Sequence, residues 1–141
     1  MWYIAIAKHL TEQGIVVYEE TLPAATCFIG QLPPSPDDAV MLTPVSGPKP
    51  DAKFGYDSPS LQVITRAVDF RTGEEWAAEI YSELQSLRTV TLDEGGDDEV
   101  RLLDCLAVQA PAYYLGIDDN ERHKWAQNFD LQIVAPTVHR R

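Results

Sequence analysis

The chain is poor in the side chains that most catalytic and metal sites need. Its three histidines, His9, His123 and His139, lie far apart, and none has another His, a Cys or a carboxylate at metal-ligand spacing on one clear element. No serine sits in a Gly-x-Ser-x-Gly elbow, and no glycine-rich loop leads into a helix to cradle phosphate. Glu74-Glu75, Asp97-Asp98 and Asp118-Asp119 are paired acids, but each falls in a turn or a first helical turn, where an exposed carboxylate costs little. A glycosidase-like pair is not indicated. These residues give no signature of a metal site, of acyl or phosphoryl transfer, or of glycoside hydrolysis.

Cations are scarce too. Eleven Lys and Arg face 22 Asp and Glu, a formal charge of −11, and a surface of one sign repels polyphosphate, anionic headgroups and acidic partners. Tight binding to DNA is disfavoured. The apolar opening run Met1–Ala7 is too short to span a bilayer and has no basic leader, so nothing marks export or membrane insertion. Cys27 and Cys105, the only cysteines, sit in strand-like stretches and read as reduced, apolar core residues, with a disulfide as the alternative. There is no internal repeat and no low-complexity tract.

What is present suits one domain over residues 1–141, since 141 residues with 45% hydrophobic side chains can bury a single core. Trp2 to Gln13 has helical spacing, with Tyr3, Ala7 and Leu10 on one stripe and Gly14 placed to end the helix. Residues 15–18 and 26–30 read as two short strands, and a proline-rich loop, Leu32–Asp38, precedes a third over 39–43. From Pro44 to Pro59 prolines, glycines and aspartates bracket Phe54 and Tyr56, a composition for a long loop. Ser60–Val68 is a strand with Arg66 as its one charge. Thr72-Gly73-Glu74-Glu75 has the form of a capping box, and Trp76, Ala77, Ile80, Tyr81, Leu84 and Leu87 then recur at helical steps. Residues 89–92 and 100–108 form a hairpin around the acidic tip Asp93–Glu99. Tyr113–Asn120 reads as a loop, and Trp125–Val134 alternates as a last long strand. The layout is α+β: a mixed, mostly antiparallel sheet with two helices packed on one face.

Arg66 stands out because an arginine inside an apolar strand must find a carboxylate or carbonyl partner, or reach a surface.

Three stretches together resemble the tail terminator family of long-tailed bacteriophages, also labelled minor capsid or head-tail joining proteins. They are Pro36-Asp37-Asp38-Ala39-Val40-Met41-Leu42, Asp57–Ala67 with its Gln62-x-x-x-Arg66 strand, and Tyr114–Asp118 taken with Asn128-Phe129-Asp130. Each is short and built of common turn and strand residues, so their order and spacing over essentially the whole chain carry the resemblance.

The resemblance implies a virion structural protein with no catalytic residue, metal or cofactor, not an enzyme, assembled in the host cytoplasm into the tail or neck. Its partners would be itself, as a homo-hexameric ring, the tail tube protein and the head-tail connector or stopper, with genomic DNA only passing through the lumen and no membrane. Six copies at −11 each would carry roughly −66, a wall to which DNA does not adhere. Arg66, Phe54, Tyr56 and Asp57 are the expected interface residues. Asp93, Glu94, Asp97, Asp98 and Glu99 are expected near the lumen or a ring face, or else form a solvated hairpin tip. The competing readings are another connector or head-completion subunit, or a small cytosolic enzyme with a pocket under the long loop.

Overall fold

A computed structural model describes residues 1–18, 24–47 and 56–134. Its elements run α1 (Trp2–Glu12), β1 (Cys27–Ile29), β2 (Ala39–Val45), β3 (Tyr56–Asp57), β4 (Ser60–Ala67), α2 (Phe70–Gln85), β5 (Val90–Leu92), β6 (Val100–Ala107), β7 (Tyr113–Ile117) and β8 (His123–Val134). The strands form one sheet in the order β1-β2-β4-β8-β6-β5, with β3 and β7 also paired to β8. Among the described strands only β1 and β2 pair in parallel. This is the expected α+β class.

β8 organises the sheet. Along one edge it pairs β4 and then β3, and along the other it pairs β7 and then β6. Its alternation is kept: Trp125, Gln127, Phe129, Leu131 and Ile133 are all buried, on the side toward the helices. There Phe129 joins Leu61, Val63, Leu102 and Cys105 from the sheet, Ile6 and Leu10 from α1, and Ile80 and Leu84 from α2 in one apolar core. Both cysteines are buried thiols outside any disulfide, and burial, with a smaller push from Asp104, raises the Cys105 thiol to about 12. It stays protonated and behaves as a small apolar side chain.

The helix ends show which local signals win. α1 stops in a Schellman motif, where Gly14, at φ +76°, donates to Thr11 O at 3.0 Å and Ile15 donates to Leu10 O at 3.0 Å. α2 begins earlier than the Thr72 capping box implies. Asp69 is the N-cap, accepting from the Thr72 amide at 2.9 Å and the Thr72 hydroxyl at 2.8 Å. Aspartate is a strong N-cap, and the Thr72 hydroxyl is a donor to it. Val68 lies outside β4 because its amide goes to Asp38 Oδ1 at 3.0 Å.

Three other expectations change. Residues 15–18 contribute only a bridge from Tyr18 to Cys27, since the Val17 and Tyr18 amides are taken by the hydroxyls of Thr26 and Thr11. β2 runs on through Pro44, beyond Leu42, where β1 has ended and an edge position tolerates proline. Tyr113–Ile117 is a strand, not a loop, and continues the line of β6 along β8 past a bulge between Tyr114 and Gly116.

Gly73 sets the approach of α2 to the sheet. A Cβ there would overlap the Trp125 ring and lie 2.9 Å from the Ala67 Cβ, and the buried indole has little room to retreat. Gly73→Ala is expected to lower stability by about 1–3 kcal/mol despite alanine's better helix propensity. A lower denaturation midpoint at unchanged m-value checks this; an unchanged or higher midpoint contradicts it.

Candidate functional site

Two buried arginines meet under the proline-rich loop at one end of the sheet. Arg66, on β4, is 2% exposed. Its Nε donates to Asp37 O at 2.8 Å, and one terminal nitrogen donates to Pro33 O at 2.6 Å and Pro36 O at 2.5 Å. Arg122, also buried, donates to Pro34 O at 2.7 Å and lies 3.6 Å from the Asp37 carboxylate. It is oriented by Asp118, which takes its amide at 2.9 Å and its Nε at 3.0 Å. Prolines have no N–H, so this loop presents mainly acceptors, and a guanidinium with five fixed donors suits it.

The electrostatics follow from that burial. Desolvation, then the charge of Arg122, lowers the Arg66 pKa, and Asp118, Asp37 and Asp38 work against the shift. The Arg122 amide, with further bonds from the Asn120 amide and the Arg122 side chain, holds the Asp118 carboxyl below the ordinary range. Carbonyls and carboxylates surround both guanidinium groups and offset the cost of burying them. Of the options open to Arg66, carbonyl partners are the ones realised.

The clamp also unites the motif stretches. Pro36-Asp37-Asp38, the Gln62-x-x-x-Arg66 strand and Ile117-Asp118 are far apart in the chain and converge on this one cluster. A family model for the bacteriophage tail terminator protein matches residues 9–135. The chain belongs to the bacteriophage tail terminator family. No curated protein gives a match. Membership of this structural tail family makes it a component of the phage tail. Among the described residues no helix is long and apolar enough to cross a membrane.

Of the other residues expected to matter in a tail terminator, Tyr56, Asp57 and the acidic tip lie at the opposite end of the sheet. Tyr56 and Asp57 pair with Val134 and Ile133, and Tyr56 is partly exposed. Phe54 lies outside the described residues. The acidic tip joins β5 to β6 at that same end, but its charges are not equivalent. Lys8 reaches Asp98 at 2.8 Å and Asp93 at 3.2 Å, and the α-amino group of Met1 reaches Asp98 at 2.6 Å. These bonds, Lys8 foremost, hold the Asp98 carboxyl below its usual range, and the Lys8 pKa is raised in turn, chiefly by Asp98. Glu94, Asp97 and Glu99 remain exposed.

A surface that sequence reasoning missed lies beside the clamp. β7 exposes Tyr113, Leu115 and Ile117 at 65%, 50% and 58%. Next to it Phe70, Tyr114, His123 and Trp125 form an aromatic cluster with ring centroids 5.3–6.1 Å apart. The Tyr114 hydroxyl bonds His123 Nδ1 at 2.7 Å. Between α2 and residues 110–112 opens an apolar groove of about 810 Å³, walled by Phe70, Ala77, Tyr81, Pro111 and Tyr114 over Trp125. The apolar run of Tyr113–Ile117 was the available signal, but the bulge breaks its alternation.

Replacing Arg66 with Ala leaves three carbonyls facing a void, and a loss of about 3 kcal/mol is expected in denaturant unfolding; a loss below about 1 kcal/mol contradicts the clamp. The Asp98 cluster makes a pH-dependent prediction. A carboxyl with a lowered folded pKa stabilises fully above its ordinary value near 3.8, and loses that contribution as pH falls through the folded value. Asp98→Asn should therefore melt below the parent protein at about pH 7, with the gap closing toward about pH 2. A gap independent of pH contradicts the ion pair.

Proposed function

We propose that this tail terminator closes into a homo-hexameric ring on the end of the tail tube, stops its growth, and then joins the tail to the head connector. Family membership over residues 9–135 carries the reading. The chain acts through shape and surface rather than reactive groups, as one domain over its whole length.

The charge distribution supports a ring around a passage. At −11 per chain, a lumen lined by such copies repels the DNA that passes through. Glu94, Asp97 and Glu99 supply that wall or a ring face, while Asp93 and Asp98, held by Lys8, brace the turn that presents them. Phe54, Tyr56 and Asp57 form the contact with the tube or a neighbour. Arg66, being buried, acts on such contacts through the loop it holds.

Electron microscopy of purified protein mixed with tail tubes tests the reading. The expected result is density with six-fold symmetry at tube ends and arrest of further elongation. Unaltered ends and continued growth, or attachment to connector complexes alone, would overturn it.

A further inference from the structure

We infer that β7 and the groove beside it are the place where a second copy of this chain docks. The inference rests on the ring reading above and names the surface through which the ring closes.

Among the described residues β7 pairs with β8 along one edge and with no strand along the other. A strand edge of this kind offers a row of main-chain donors and acceptors, and natural proteins guard such edges with charge, proline or cover. β7 carries one bulge but no charged residue in Tyr113–Ile117. Tyr113, Leu115 and Ile117 stand well exposed, and the groove opens directly beside them, behind Tyr114. An extended segment laid along β7 would take main-chain hydrogen bonds from the edge and place an apolar anchor in the groove.

Charge selects the occupant. Copies of a chain at −11 repel one another over most of their surface, so self-contact needs a place where acids are absent or opposed. β7 contributes no charge. Glu74 lines the groove wall; at the margins Arg71, adjoining Phe70, acts on Asp69, Arg122 holds Asp118, and Lys124 pairs with Gly116 across the β7–β8 ladder. An uncharged apolar strand whose neighbouring acids are largely opposed by Arg71, Arg122 and Lys124 is where two copies of an acidic chain repel one another least. The apolar character also suits a permanent contact, since lasting homo-oligomeric interfaces are more apolar than transient ones.

The test uses the full chain and reads self-association by sedimentation, alone and on tail tubes, for the parent protein and for Leu115→Asp, Ile117→Asp and the control Leu106→Asp. Leu106 is exposed on β6, away from the groove. Hydrogen exchange of the parent protein follows residues 113–117, so the outcome does not depend on any variant folding. Expected are melting temperatures close to the parent's, self-association weakened more than roughly tenfold by each β7 change but not by the control, and slowed exchange at β7 on assembly.

Assembly that proceeds with both β7 variants and leaves β7 exchange unchanged overturns the docking site while the ring reading stands. Slowed exchange at β7 only when tubes are present, with self-association unaffected by the variants, assigns the surface to the tube and overturns the second copy. A parent protein that stays monomeric both free and on tubes overturns the ring reading, and the docking site with it.

Discussion

The constraint on which much of this molecule depends is the burial of two positive charges under a loop rich in proline. A buried guanidinium must be surrounded by acceptors or the fold fails. The loop satisfies this because proline supplies carbonyls without competing N–H groups. Four backbone carbonyls, from Pro33, Pro34, Pro36 and Asp37, are turned inward onto Arg66 and Arg122. Asp118 then fixes Arg122 and closes the tight connection between β7 and β8. A segment that could not pair as a strand is thereby given a defined position, and three distant parts of the chain are locked together.

The same arrangement separates the surfaces. The clamp, the start of α2 and the apolar edge of β7 occupy one end of the sheet, while Tyr56, Asp57 and the exposed acids of the β5–β6 turn occupy the other. β8, 12 residues long, links the two ends as a rigid member with partners on both edges. Such polarity leaves the apolar edge of β7 and the exposed acids at opposite ends of one chain.

Much of this was legible in the sequence, and the failures have physical causes. The alternation of Trp125–Val134 gave the buried face of β8, because a strand with one face on a core must repeat every two residues. The spacing of Ala77, Ile80 and Leu84 gave the buried stripe of α2. Arg66 was conspicuous as a lone charge among apolar neighbours, but its partners lie about 30 residues away and are main-chain groups that no side-chain pattern reveals. β7 was hidden because a bulge at Gly116 and exposure of both its faces erase any period. The acidic tip looked uniform, yet Lys8, 85 residues from Asp93, offsets part of its charge. Residues 15–18 had strand composition but lost their amides to the hydroxyls of Thr11 and Thr26.

We propose that identical acidic chains close into a ring at the tube end. Native mass spectrometry of the protein released from capped tail tubes measures the stoichiometry directly. A single species at six times the mass of one chain is the predicted result. Release of single chains alone, under conditions that preserve non-covalent rings, would contradict it.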